Sequence, residues 1–255
     1  TVSVVSENNS STSGPVSDTV QPVLADLPVS SLFATTLYTG DDSKPRLITT
    51  GIDNTAKGLI WIKGTGGSAF SDTTNGHKLM DSERENYGAS LDSSAADDQG
   101  SMPAGTIVPE SSGFTIGGWT GNFNKSNVDF VAWNFRAAPK FFDVQTWSGD
   151  NASSRAIPHS LTTTPGFIVT KTLVNDQSWV CYHKELGTDK YIMLDRGDAP
   201  TNNSTWLDSV SASNFVTGSS NALLNESGED YVAYLFADTP GLIKCGSYTG
   251  SSTYP

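Results

Sequence analysis

Three histidines, His77, His159 and His183, are the imidazoles the 255-residue chain has for acid–base or nucleophilic chemistry. A histidine-based hydrolase needs its imidazole beside an activated serine or cysteine, or paired as HExxH around a metal. None of the three stands in such a string, and no GxSxG serine elbow accompanies them. The two cysteines, Cys181 in WVCYH and Cys245 in LIKCGS, lie in apolar runs without CxxC spacing. They read as reduced core thiols, with a disulfide or metal pair the weaker alternative. No catalytic residue is predicted.

Carboxylates offer a second chemistry. The pairs Asp41-Asp42 and Asp97-Asp98 and the run Asp195-Arg196-Gly197-Asp198 fall where turns are expected. Clustered oxygens there, helped by backbone carbonyls, could hold calcium, with Asp41, Asp42, Asp195 and Asp198 as candidate ligands. The 12-residue ligand spacing of an EF-hand is absent. Asp and Gly are also what turns demand for local hydrogen bonding and positive φ, so the structural reading leads. No other cofactor is implied.

Flat aromatic rings beside Asn, Asp and Gly suit sugar binding, and Trp119, Trp147 and Trp206 each adjoin such turns. These three are the candidate ligand-binding residues. Trp61, Trp133 and Trp179 instead stand within apolar strand patterns, which assigns them to the core.

The elements that must position these side chains are short strands. Charged residues make up 16% of the chain, and Ser, Thr, Asn and Gly are abundant, as in turn-rich all-β proteins. Fifteen basic against 27 acidic side chains give a net charge of −12, which disfavours a nucleic-acid partner. No apolar run approaches the roughly 18 residues of a membrane span, so no membrane insertion is expected, and TVSVVSENNS does not read as a secretory signal.

The pattern repeats. DFVAWNFRAAPKFFDVQTWSGD, from Asp129, returns as DYVAYLFADTPGLIKCGSYTG, from Asp230, 101 residues later. GLIWIKGT matches GFIVTKTL, SGFTIGG matches SNFVTGS, and an aromatic-x-Gly mark occurs at Tyr38, Trp147 and Tyr248. Self-similarity at fixed spacing marks a tandem repeat. The predicted fold is all-β: two tandem antiparallel β-sandwich or jelly-roll modules, residues 34–140 and 141–250, behind an extended N-terminal arm of residues 1–33. HKLMDSERENYGASLDSS is readable as two strands around a polar turn or as one short helix, and the strands are favoured. At the joint, the strand from Phe141 to Trp147 is expected to open the second sheet and to complete the first. Leu242 to Tyr248 should be its counterpart, opening a third repeat. Trp133 and Tyr234 should occupy equivalent buried places.

The strings LYTGDDSKPRLITTGIDNTAKGLIWIK, FVAWNFRAAPKFFDVQTWSG, TPGFIVTK, WVCYHKELGTDKYIMLD and YVAYLFADTPGLIKCGSYTG closely resemble a repeated module of structural proteins of tailed phages, especially marine phages and cyanophages. That module looks like a concanavalin A-like (LamG-like) sandwich, and the resemblance covers roughly residues 34–250. It implies a virion structural or fibre protein; the expected function is a non-enzymatic structural one, as capsid decoration, fibre or tail appendage, at the outer surface of the virion, on capsid or tail. Expected partners are further copies of the chain, through residues 1–31, and other virion proteins. The alternative is a carbohydrate-binding adhesin for host surface glycans, and the second alternative a glycan-cleaving enzyme.

Overall fold

The computed structural model describes residues 27–219 and 221–250, so most of the expected arm, residues 1–26, lies outside the described residues. The first half runs β1 (Phe33–Thr39), β2 (Arg46–Thr49), β3 (Gly58–Gly66), α1 (Asp72–Asn75), β4 (Lys78–Asp81), β5 (Ala89–Ser90) and β6 (Gly100–Ser101). It continues with β7 (Ile107–Glu110), β8 (Gly113–Ile116), α2 (Thr120–Phe123) and β9 (Asp129–Arg136). The second half runs β10 (Phe142–Ser148), β11 (Arg155–Pro158), β12 (Pro165–Thr172), β13 (Val180–His183), β14 (Lys190–Met193) and β15 (Thr201–Asn202). It closes with β16 (Leu207–Val210), β17 (Asn214–Thr217), α3 (Asn221–Leu224) and β18 (Asp230–Ala237).

The fold is all-β and every strand pairing is antiparallel. A four-stranded sheet, β1-β9-β3-β4, faces a three-stranded sheet, β2-β8-β7. The same order recurs as β10-β18-β12-β13, extended by β14 and β15, with β11-β17-β16 as its small partner. A two-stranded ribbon, β5-β6, completes the set, and none of the described sheets closes. Pairing registers repeat as well: Trp133 stands between Thr35 and Trp61, and Tyr234 between Val144 and Val169.

Strand alternation fixes the layers, because residues paired across a sheet share a face. Ile60, Ile62, Phe130 and Ala132 turn toward Ile48, Ile107, Phe114 and Ile116 of the small sheet, forming one core. Ile168, Val180, Tyr231, Ala233 and Leu235 do the same against Ile157, Leu207 and Phe215. The opposite faces of the two large sheets meet in a third core, where Leu59, Leu79 and Leu91 pack with Val144, Val169, Cys181, Val232 and Tyr234. The long strands therefore bury residues on both faces, which is why GLIWIKG and DYVAYLF read as nearly continuous apolar runs.

This third layer holds a buried polar cluster. Arg84 donates from Nε to Asp81 Oδ2 (2.7 Å) and from Nη2 to the Tyr234 hydroxyl (3.0 Å) and the Leu79 carbonyl (3.0 Å). The Tyr234 hydroxyl in turn donates to Asp81 Oδ2 at 2.8 Å. A buried ion pair costs less when its remaining hydrogen-bonding groups find partners; Tyr234 supplies one from the other half, while Arg84 Nη1 has none.

Three expectations are corrected. Strand β10 pairs with β18 and not with β9, so it opens the second large sheet and takes no part in the first. Residues 242–248 form no strand; Ile243 makes an isolated bridge to Thr239, and Tyr248 is 95% exposed. Trp133 is part-exposed while Tyr234 is buried, because the second half's sheet face is covered by Leu79, Asp81 and Arg84 and the matching face of the first half is more open. HKLMDSERENYGASLDSS does run strand, turn, strand, as β4, a turn with positive φ at Glu85, Asn86 and Tyr87, and the two-residue β5.

Candidate functional site

The tryptophans expected to present open rings are mostly sealed. Trp147 is 8% exposed, stacked on Tyr231 at 5.2 Å, with its Nε1 donating to the Leu224 carbonyl at 2.8 Å. Trp206 is 1% exposed and packs edge-on against Tyr191. Both are core residues, since each sits at or beside a strand end where the turn caps the apolar layer. Trp119 alone of the three is open, 44% exposed, in a left-handed conformation (φ 44°) at the start of α2.

Of the four aspartates expected to hold calcium, Asp41 and Asp195 have their carboxylates engaged within the protein. The Asp41 Oδ1 atom accepts from Ser43 N (2.9 Å), Ser43 Oγ (2.6 Å) and Asn124 Nδ2 (2.8 Å), and pairs with Arg46 at 3.3 Å. Hydrogen bonds from Ser43 and Asn124, and the Arg46 charge, bring its pKa down to about 2. Asp42 takes a positive φ of 58° and donates its N–H to the Asn124 carbonyl, the role of a turn residue. Asp195 Oδ1 accepts the Trp179 N–H at 3.0 Å, and Asp198 is exposed in a loop. Among the described residues no group of three or more His, Cys, Asp or Glu is placed to hold a metal ion.

Asp41 belongs instead to a lock built twice. Asn124 Nδ2 donates to Asp41 Oδ1 and to the Ser43 carbonyl (both 2.8 Å), while Arg46 donates to Asn124 Oδ1 and to the Thr39 carbonyl. In the second half Asn225 Nδ2 donates to Asp150 Oδ1 (2.7 Å) and the Ala152 carbonyl (3.0 Å), and Arg155 to Asn225 Oδ1 and the Ser148 carbonyl. Each lock ties the turn after the first strand to the residue following the short helix. Its trace in the sequence is aromatic-x-Gly-Asp-x4-Arg, beginning at Tyr38 and at Trp147.

A second, part-exposed aromatic surface lies on Trp61 and Trp133, residues assigned to the core by their strand pattern, of which Trp61 also packs against the layer between the two large sheets. Trp61, on central strand β3, is part-exposed; its Nε1–H donates to His77 Nδ1 at 2.9 Å, and Trp133 meets it edge-on at 5.5 Å. A tryptophan nitrogen can only donate, so Nδ1 accepts and the neutral ring carries its proton on Nε2. Burial, then the nearby Lys63 charge, lowers the His77 pKa, consistent with that neutral form. Trp61 and His77 line a cleft of about 410 Å³ with Ser93 and Ser94 on one side and Leu194, Asp195 and Arg196 of the second half on the other.

Trp179, expected in the core, is fully buried there and sets both walls of this cleft. Its backbone N–H holds Asp195, and its Nε1–H donates to the Asp92 and Ala95 carbonyls, each at 3.0 Å. The loops carrying Ser93-Ser94 and Asp195-Arg196 are thus hung from one buried residue, the first from its indole and the second from its backbone N–H. The other two histidines are satisfied locally: His159 Nε2 lies 3.1 Å from the Ser211 carbonyl, and His183 Nδ1 accepts from Glu185 N at 3.3 Å.

The chain belongs to the family described as a domain of unknown function (DUF7483), whose model matches residues 28–254. No curated protein and no solved structure matches it. Among the described residues no helix is long and apolar enough to cross a membrane.

Proposed function

We propose that this protein is a non-enzymatic structural component of a tailed-phage virion, made of two tandem jelly-roll, concanavalin A-like sandwiches and displayed on the outer surface of the particle. The observation that carries the reading is the duplicated scaffold. One sheet order and one Asp–Asn–Arg lock occur in both halves, and the two large sheets pack into a common layer. Polar side chains hold turns and layers together at the two locks and at the Asp81–Arg84–Tyr234 cluster, as suits a building block. The resemblance of the repeated strings to phage structural modules supports the virion location.

Mass spectrometry and electron microscopy of purified particles test this. A fixed copy number per particle and density at one symmetric position are expected. Recovery of the protein from infected cells, with none in purified particles, would overturn it. The assembly reading adds contacts between copies through residues 1–31, since an extended arm recovers its ordering cost only against a partner. Removing residues 1–26 should lower the oligomer mass in light scattering; an unchanged mass would assign assembly to the sandwiches.

A second reading, a carbohydrate-binding adhesin in the same location, is favoured by the cleft beside Trp61. It joins an accessible indole to hydroxyl, carboxylate and guanidinium groups. The two readings are compatible, because a particle-surface protein can also bind the host.

A further inference from the structure

We propose that the cleft between the two halves is a saccharide subsite, with Trp61 as the stacking surface and Asp195, Arg196 and His77 as the groups that read hydroxyls. This rests on the adhesin reading and adds to it the site, the ligand class and the role of each side chain.

The ligand class follows from the lining. A pyranose ring has an apolar C–H face and a rim of hydroxyls that both donate and accept, so it needs an aromatic surface flanked by donors and acceptors. Trp61 supplies the surface, part-exposed and oriented by the hydrogen bond to His77 and the edge contact with Trp133. The Asp195 carboxylate has Oδ1 tied to Trp179, which fixes the group and leaves Oδ2 to accept a sugar hydroxyl. Arg196 is exposed at the rim and donates. His77 lines the cleft with its Nε2–H as a further donor, since Nδ1 is occupied by Trp61.

The cleft volume of about 410 Å³ is within the range of about 300 to 1,000 Å³ typical of small-ligand sites. Asp195 and Arg196 offset each other in charge, so a neutral saccharide fits better than a strongly charged one. The walls come from both halves and hang from the buried Trp179, so the site is organised before any ligand arrives. Such preorganisation lowers the entropic cost of binding. An indole placed at a protein surface with polar groups around it also gives large contact area with few rotatable bonds.

The test uses the full chain, labelled and applied to a printed array of neutral hexose and N-acetylhexosamine oligosaccharides, followed by calorimetric titration with the strongest hit. Trp61→Ala should weaken binding about tenfold or more, and Trp61→Phe should recover part of the loss. Arg196→Ala, at an exposed position where folding is not in question, should weaken the same titration severalfold and keeps the proposal testable if Trp61→Ala misfolds. Wild-type affinity in both folded alanine variants would overturn this site and leave the adhesin reading standing. Silence of the wild-type chain across the array would overturn both.

Discussion

The two large sheets place equivalent residues on equivalent faces and bury them differently. In the second half Val144, Val169, Lys171, Val232 and Tyr234 are all at most 6% exposed. In the first, the matching positions are Thr35, Trp61, Lys63, Val131 and Trp133; Thr35 is exposed, Trp61, Lys63 and Trp133 are part-exposed, and Val131 alone is buried. Repeating a backbone therefore does not repeat an environment. The sealed copy carries polar atoms that must find protein partners, as Tyr234 does with Asp81 and Arg84. The open copy keeps rings that can meet solvent or a ligand.

Truncating the same position in both halves should have unequal effects. Tyr234→Ala removes a fully buried ring and leaves the Asp81–Arg84 pair short of a partner, so the cost should be about 3–5 kcal/mol. Trp133→Ala removes a larger but part-exposed ring whose main aromatic contact is Trp61, and about 1–2 kcal/mol is expected. Denaturant unfolding of the two variants checks the order. Equal losses would mean that the first-half face is as sealed as the second.

The duplicated locks should behave alike, because their geometry is alike. Asn124→Ala and Asn225→Ala each strand two acceptors and free an arginine, at a cost of about 1–3 kcal/mol apiece. The two melting-temperature shifts should agree closely, and their sum should describe the double variant, since the locks share no hydrogen-bond partner. A large loss from one and none from the other would show that the halves are held by different means.

What the sequence revealed divides along the same line. Strand patterns, turn positions, the absence of long helices and the 101-residue repeat are local properties, and alternation at period two exposes them directly. Which face of a strand ends up covered is decided by elements far away in the chain. Trp61 and Val169 look equally core-like from neighbouring residues, yet Val169 is covered by the first half while Trp61 borders a cleft. Trp147 and Trp206 look like loop aromatics because turns adjoin them, and only the packing of Tyr231 and Tyr191 shows that they are inside. The Asp-x4-Arg signature was present twice, but its partners Asn124 and Asn225 lie 83 and 75 residues from the aspartates they hold. Spacing along the chain could not pair them.

The two halves also differ in how they hold an equivalent lysine. Lys171 is 1% exposed, with Nζ donating to the Thr172 (2.7 Å) and Asn175 (3.1 Å) carbonyls, whereas its counterpart Lys63 is part-exposed. Burial pushes the Lys171 pKa down to about 8 from 10.5, against the upward pull of Asp176, Asp98, Asp195 and Asp97. Below pH 8 both folded and unfolded chains hold this proton, and the cost of burying the charge is constant. Between about pH 8 and 10.5 the folded chain has released it and the unfolded chain has not, so stability rises with pH. The wild type should therefore gain on Lys171→Met across that window, other titrating groups cancelling in the difference. A gap that stays flat from pH 8 to 10.5 would mean that the ammonium is well solvated.

The smallest effect is expected at Trp119, the one open ring among the three tryptophans that adjoin turns. Its backbone is left-handed, at φ 44° and ψ 44°, a region that costs an ordinary L-residue about 1–2 kcal/mol and a glycine little. Trp119→Gly relieves that cost while giving up the part of the ring that is covered and adding backbone freedom to the unfolded chain. These contributions oppose one another, so the net change should stay within about 0.5–1 kcal/mol in thermal melts. Saccharide titrations should be unaffected, because Trp119 is not among the residues lining the Trp61 cleft. A destabilisation beyond about 2 kcal/mol would make Trp119 an anchor of the first-half core. Loss of saccharide binding in a folded Trp119→Gly chain would move the stacking surface from Trp61 to the α2 turn, and with it the distinction drawn between the open and sealed faces.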